Sequence, residues 1–451
     1  MSTITINGGV PLRGELTVQG AKNSVLPILA ATILCADTCR IIHCPHLSDV
    51  DTAVDILHYL GCTASWDGAD LLVDTSTMLR HDIPEDLMRK MRSSVIFLGA
   101  ILARFGEAEL SYPGGCELGP RPIDLHIGAL RTLGAEITEA GGQLHCAAPR
   151  MTGQEIVLTL PSVGATENAM LCACGAEGVT VISNAAREPE IVDLQQFLTK
   201  LGATVYGAGG STVTVVGKRP LHGCAHRCIG DRIVASTYLS AAAATGGSLV
   251  LRGINYRHLS PVTTVLQQAG CTLHTEKNLI ALQSNGHLHA VSPIRTSPHP
   301  GFPTDAQAVI MAALLRSEGT TVFVENMFEN RYRHVPELLR MGADIRLEGR
   351  VAVVCGKAAL HGAAVCCTDL RGGAALVVAG LQAESKTDIH RIYHICRGYE
   401  NILSDLCSLG AHLSLTDTPD TSVKKGALWQ GNAVSTTENA PGEGFPSSIS
   451  C

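Results

Sequence analysis

Residues 193–216 read DLQQFLTKLGATVYGAGGSTVTVV, and this stretch decides the fold. Leu194, Phe197, Leu198 and Leu201 recur at helical spacing on one apolar face. Gly202 suits the left-handed position that stops a helix. Ala203 and Val205, then Val213 and Val215, alternate as half-buried strands do, and the glycines between them mark a turn. A helix followed by a β-hairpin is therefore expected. The same signature, a glycine followed by Ala or Cys after an apolar helical pattern, recurs at Gly61, Gly134, Gly270, Gly342 and Gly410, at intervals of 68–73 residues. A turn residue lies seven positions beyond in most units: Gly68, Gly141, Gly209 and Gly349, with Asn278 beside Lys277. Six units result, each a helix, a hairpin and a further strand–helix stretch, which is a βαβαββ-type repeat of an α/β protein.

The chain ends say how the units close. The sixth unit loses its pattern after Asp417 and has no second hairpin strand, whereas Thr3–Leu16 (TITINGGVPLRGEL) reads as such a strand without a first one. An unpaired edge is a liability, so the N-terminal strand is expected to complete the last unit. Six units are too many for one core, which divides them three and three. Domain one is expected over residues 22–229, and domain two over 1–21 together with 230–417. Residues 418–451, rich in Thr, Ser, Pro, Gly and Asn, read as a disordered tail. The cleft between two doubly linked domains is the default ligand site.

Composition narrows the function. The 451 residues are 45% hydrophobic and 17% charged, as in a globular protein, with aromatics at only 4%. The net charge of −7 argues against nucleic-acid binding, and no apolar run reaches the length that spans a bilayer. The N-terminus MSTITINGGV has no signal-peptide pattern, so a soluble cytosolic protein is expected. Seventeen cysteines without CxxC pairs or zinc spacing read mainly as buried free thiols.

Cationic residues in glycine-rich or apolar surroundings are the candidates for chemistry. Lys22 and Asn23 open an apolar helical run, where a lysine opposes the macrodipole and an anion would be welcome. Arg92 sits one step off the face marked by Leu87, Met91, Val95 and Leu98, which taken alone is the place of a solvated helix arginine. Ser111–Pro122 (SYPGGCELGPRP) reads as a lid-like loop, with Cys116 at its centre and Arg121 near enough to lower a thiol pKa. Arg331 and Arg333, Asp369 and Arg371, Asp231 and Arg232, and Arg397 recur at similar places in successive units; such arginines capture carboxylate or phosphate, or form structural ion pairs. Asp305 stands among apolar residues at a helix start, as an N-cap or as a general base facing a cleft.

Together GAKNSVLPI, PGGCELGPRPIDLHI, PSVGATEN, NAAREPEIVD, PHPGFPTDAQA, FENRYRHVPELLRMGA, TDLRGGAAL and RGYENI, in this order, resemble the enolpyruvyl transferases. The resemblance spans residues 3–415 and is closest to the branch that acts on UDP-N-acetylglucosamine. It implies two inside-out α/β barrel domains of three units each. It also implies transfer of the enolpyruvyl group of phosphoenolpyruvate to the sugar 3-hydroxyl with release of phosphate, the first committed step of peptidoglycan synthesis. By the same resemblance Lys22, Arg121 and Arg397 would neutralise phosphoenolpyruvate. Asp305 would take the hydroxyl proton, and Cys116 would protonate the methylene carbon and react with the epoxide fosfomycin. Arg121, Pro122, Ile123, Asp124, Leu125, Ser162, Val163, Gly164, Asp305 and Met327 would line the sugar-nucleotide site, with Asn23, Arg92, Arg331 and Arg371 also touching substrate. A monomer acting on two small molecules, with no cofactor, metal, nucleic acid or membrane partner, is implied. Cys396, where many members carry an acid, and Leu160, where some carry lysine, depart from the pattern. Two rivals remain: enolpyruvylshikimate-phosphate synthase, which lacks the cysteine-bearing lid, and a catalytically idle paralogue that senses the sugar nucleotide.

Overall fold

The computed structural model describes residues 2–112, 123–417 and 449–450. All six repeat glycines stop their helices with positive φ, from 88° at Gly342 to 106° at Gly270, a backbone setting that a Cβ would strain. The expected hairpin follows the first five, as in Thr204–Tyr206 with Thr212–Val216 and Asp344–Glu348 with Val351–Cys355, and a single strand, His412–Asp417, follows Gly410. Each hairpin joins two more strands, giving six sheets in which one edge pair is parallel and the rest antiparallel.

The N-terminal strand closes the sixth sheet. Ser2–Asn7 lies antiparallel between Lys386–His390 and His412–Asp417, with Ile4 opposite both Ile389 and Leu415. The stretch read as one strand over Thr3–Leu16 is two, because Arg13–Thr17 leaves for another sheet and runs parallel to Ser248–Arg252. The turn at Gly9, with φ of 88°, separates them. Ile449–Ser450 adds a two-residue strand beside Ser414 and Leu415.

Helices sort into inner and outer sets by composition. The inner helix Arg232–Thr245 (RIVASTYLSAAAAT) is buried from Arg232 through Ala244; without a polar face, such a helix has to be enclosed on all sides. Lys22–Thr32, Phe97–Phe105 and Val163–Ala173 form a comparable inner trio, and Thr304–Ala313 and Leu370–Leu381 complete a second trio with Arg232–Thr245. Outer helices such as Pro189–Lys200 bury one face only, through Ile191, Leu194, Phe197 and Leu198. One expectation fails locally. The face Leu87, Met91, Val95 and Leu98 is buried, but it does not belong to one helix: Met91 is extended, and a 3-10 turn Arg92–Ile96 follows. Ser94 Oγ donates to the Met91 carbonyl at 2.6 Å, a local bond that competes with helix continuation.

The apolar core is double. One part gathers residues from Val25 to Cys228, the other Ile4, Ile6, Leu12 and Val18 with residues from Val234 to Leu413. The chain passes between them twice, and the two passages are bonded side by side: Gly20 bridges Gly230, the Ala21 N–H donates to the Ile229 carbonyl at 2.8 Å, and the Asp231 N–H donates to the Gln19 carbonyl at 2.9 Å.

Candidate functional site

The paired passages fix where the inner helices begin. Asp231 caps Arg232–Thr245 by accepting the N–H groups of Ile233 (2.8 Å) and Val234 (3.1 Å) on Oδ1. Its other oxygen accepts the Lys22 N–H at 3.1 Å, so one carboxylate joins the N-termini of inner helices from both cores. Gln19 anchors the segment of Arg397: its Nε2 donates to the Gly398 carbonyl at 3.2 Å, and its Oε1 accepts the Glu400 N–H at 2.9 Å.

These anchors bring Lys22 and Arg397 to one buried carboxylate, Asp49. Lys22 Nζ lies 2.8 Å from Asp49 Oδ2, and Arg397 Nε lies 2.9 Å from Oδ1. Burial alone would raise the Asp49 carboxyl, but the two cations hold it below the usual carboxylate range. Two protein carboxylates, Asp49 and Asp231, therefore lie beside the start of the Lys22 helix. Asp49 escaped the sequence reading because SDVDTAVDIL looks like an ordinary amphipathic helix with acids in its first turn, where the macrodipole favours them. Its partners are 27 and 348 residues away.

A second charged group surrounds Asp305. The helix Thr304–Ala313 is capped at Pro303 without a side-chain bond, so Asp305 is not its N-cap. Instead Arg331 Nη2 reaches Asp305 Oδ1 at 2.5 Å, and Arg371 Nη2 reaches Oδ2 at 3.3 Å. Burial acts to raise this carboxyl too, yet the Arg371 and Arg331 guanidiniums hold it well below the usual range. Arg331 is itself fixed by the Thr304 carbonyl, which accepts from its Nε (3.2 Å) and Nη2 (3.0 Å). Buried Glu325 holds the neighbouring turn by accepting from Thr304 Oγ1 at 3.0 Å and from the N–H of Met327 at 2.8 Å, leaving the Met327 side chain exposed. Asp369 caps Leu370–Leu381 much as Asp231 caps its helix, and so places Arg371.

A third group is organised by buried Asn168. Its Oδ1 accepts the Gly99 N–H at 2.7 Å, while Nδ2 lies 2.9 Å from both the Val95 carbonyl and His126 Nδ1. It therefore ties the turn of half-buried Arg92 to the helix Asp124–Thr132, next to Ile123, Asp124 and Leu125, and to Val163–Ala173. Ser162 caps that last helix, its Oγ accepting the Ala165 N–H at 3.4 Å, which sets Val163 and Gly164 in the first turn. Asn23 follows Lys22 on its helix and is half-buried. Cys116, Arg121 and Pro122 lie outside the described residues.

A buried salt bridge that the sequence reading did not single out as a pair lies near the Asp305 group. Arg232 Nε and Nη2 meet Glu190 Oε1 and Oε2 at 2.9 and 3.3 Å, and Arg232 also feels the Asp305 charge. Glu167 on Val163–Ala173 and Glu188 lie near Glu190; burial first, then these two neighbours, raise Glu167 well above the ordinary range. First turns of inner helices from both cores thus meet across one boundary, carrying Lys22, Arg232, Asp305 and Arg371. Helix N-termini and guanidiniums together favour polyanions there. Among the described residues, no three His, Cys, Asp or Glu side chains are grouped to hold a metal ion, and no helix is long and apolar enough to cross a membrane.

Known proteins resemble this chain along nearly all of its described length. The family model for EPSP synthase (3-phosphoshikimate 1-carboxyvinyltransferase) matches residues 6–406. A UDP-N-acetylglucosamine 1-carboxyvinyltransferase 2 from Caldanaerobacter subterraneus subsp. tengcongensis is 49% identical over 413 residues, covering 92% of this chain and 99% of that protein. A UDP-N-acetylglucosamine 1-carboxyvinyltransferase from Zymomonas mobilis subsp. mobilis is 45% identical over 422 residues, with the same coverage. Among solved structures, the enolpyruvyl transferase NikO from Streptomyces tendae superposes with a TM-score of 0.83 at 25% identity, covering 93% of this chain and 99% of its own. EPSP synthase from Acinetobacter baumannii shares the fold, with a TM-score of 0.71 at 18% identity. With the double core, the six sheets and a shared identity near one half, the chain belongs to the enolpyruvyl transferase family, among the UDP-N-acetylglucosamine 1-carboxyvinyltransferases.

Proposed function

We propose that the chain transfers the enolpyruvyl group of phosphoenolpyruvate to the 3-hydroxyl of UDP-N-acetylglucosamine at the boundary of the two cores. The observation that carries the reading is the convergence of Lys22 and Arg397 on Asp49, which sets two cations from different cores within one carboxylate's reach. A three-carbon phosphorylated acid brings the negative charge those cations can share, a role the family resemblance also gives Arg121. The sugar hydroxyl oxygen adds to C2 of the donor while Cys116 gives a proton to the methylene carbon, forming a tetrahedral ketal. The Cys116 thiolate then takes back a methyl proton as the C2–O bond to phosphate breaks, releasing the product and inorganic phosphate.

Asp305 accepts the hydroxyl proton in this scheme, and its surroundings set a condition. A carboxylate held low by Arg331 and Arg371 is a poor base. Bound polyanions would draw one or both guanidiniums toward themselves and so raise Asp305 toward a useful basicity. Ile123, Asp124, Leu125, Ser162, Val163, Gly164 and Met327, with Pro122, would line the nucleotide side, where Arg92 and Asn23 contribute polar contacts. The test is a coupled assay of phosphate release. Release with phosphoenolpyruvate and UDP-N-acetylglucosamine together, and a fall of about 10²–10⁴-fold in kcat for Asp305→Asn, is the expected result. Release only with shikimate 3-phosphate, or none from folded protein, overturns the proposal.

A further inference from the structure

Away from this boundary the described cysteines are mostly isolated and buried: ten of the fourteen free ones are buried and four are half-buried. Cys35, Cys39 and Cys224 form one group on neighbouring segments. They gather where the inner helix Lys22–Thr32 ends and Ala225–Arg227 pairs in parallel with Thr38–Ile42. Cys35 Sγ lies 3.6 Å from Cys39 Sγ. The register sets Ala225 beside Arg40, and the Arg40 N–H donates to the Cys224 carbonyl at 2.9 Å, so Cys224 is the cross-strand neighbour of Cys39. Paired residues of neighbouring strands present their side chains to the same face of the sheet, which sets the two thiols side by side. Neighbouring strands run about 4.8 Å apart, within the Cα separation that a disulfide bridges.

The three thiols differ in access. Cys39 is fully buried and Cys35 nearly so, whereas Cys224 is half-buried, with the Lys200 ammonium nearby. The bond from Cys39, opposed by burial and aided by Lys200, holds the Cys224 thiol below its ordinary value, while Cys39 is pushed up to about 12. The cluster follows the C-terminal end of an 11-residue helix whose first residue is Lys22, which places it ~16 Å from the substrate end. The transfer reaction has no use for it.

We propose that Cys224 and Cys39 form an oxidation site for hydrogen peroxide, with Cys224 as the attacking thiol and Cys39 as the resolving one. The Cys224 thiolate attacks one peroxide oxygen; an S–O bond forms, the O–O bond breaks, and the departing hydroxide takes up a proton to become water. Cys39 then attacks the Cys224 sulfur; an S–S bond forms, the S–O bond breaks, and the second hydroxide leaves as water with the Cys39 proton. Two thiols are oxidised and one peroxide is reduced to two waters. The disulfide would tie the strand preceding the second passage, at residues 228–231, to the sheet that follows the first.

The experiment treats the full chain with a small excess of hydrogen peroxide, alkylates the remaining thiols after denaturation and maps the digest by mass spectrometry. A Cys39–Cys224 linked peptide is expected, forming faster than oxidation of half-buried Cys355. In Cys39→Ala, Cys224 should accumulate as the sulfenic acid and be captured by dimedone; in Cys224→Ala, Cys35 and Cys39 should stay reduced. Oxidation of Cys224 no faster than that of Cys355, or a Cys35–Cys39 disulfide forming undiminished in Cys224→Ala, overturns the proposal.

Discussion

Asp49→Asn tests the arrangement at its centre. The substitution keeps the shape of the side chain and removes the charge on which Lys22 and Arg397 converge. The Asp49 side chain is 4% exposed and Lys22 13%, so this arm is close to a buried ion pair, and removing one partner of such a pair costs about 3–5 kcal/mol. Lys22 keeps some access to water, which favours the lower end, about 3 kcal/mol. The Arg397 side chain is 39% exposed, and solvent screening limits its arm to less than about 1 kcal/mol. A loss near 3–4 kcal/mol lowers the Tm of a unit of this size by roughly 10 °C. The Asp49 carboxyl is held below its unfolded value, so its contribution is complete above about pH 4 and fades as the pH falls through the lower folded value. The wild-type and Asp49→Asn melting curves should therefore differ fully between pH 6 and 8 and converge toward pH 3. Differential scanning fluorimetry with and without phosphoenolpyruvate completes the test, because two cations without their carboxylate should gain more from a bound anion than two already paired. Equal Tm values at pH 7, a gap that persists unchanged at pH 3, or the same ligand-induced rise in both proteins would refute the reasoning.

Three further outcomes are expected. Cys116→Ala should keep the melting temperature of the parent while losing most turnover and covalent labelling by fosfomycin; mass spectrometry showing the label mainly on another cysteine would remove Cys116 from the reaction. Buried Glu167 has a raised pKa, so its stabilising neutral form is present at low pH and is lost as the pH climbs through that raised value. Glu167→Gln should accordingly flatten the decline in Tm that begins as the pH rises above the ordinary carboxyl range, and an unchanged slope would show that Glu167 is not held neutral in the folded protein. Gly99→Ala places a Cβ 2.4 Å from the Asn168 carbonyl oxygen and 2.6 Å from its Oδ1, pushing Phe97–Phe105 off Val163–Ala173. A loss of about 1–3 kcal/mol in urea unfolding is expected, with Arg92 and Ser162 displaced as well.

Much of the architecture was legible because its determinants are local. A helix stop followed by a strand requires a left-handed residue at Gly61, Gly134, Gly202, Gly270, Gly342 and Gly410, and glycine supplies it at each. The unpaired strand at one chain end and the incomplete hairpin at the other found each other, since backbone N–H and C=O groups at a sheet edge need partners. What the pattern missed was a division within an alternating stretch: Thr3–Leu16 serves two sheets, and nothing in its alternation marks the change of partner. The break at Met91 escaped for a related reason, because burial at Leu87, Met91, Val95 and Leu98 satisfies helical spacing whether or not the backbone is continuous.

The amino-acid order alone determined the repeat, the helix starts at Lys22 and Asp305 and the unusual placement of Lys22, Asp305, Arg371 and Arg397, because residue type and spacing carry that information. Which charge meets which was decided by tertiary structure. Asp49 pairs with Arg397 across 348 residues, Glu190 with Arg232 across 42, and Asp305 is gripped by two arginines where an N-cap was the plainer of two readings. Electrostatic partnership depends on distance and burial in space, and neither is a property of separation along a chain.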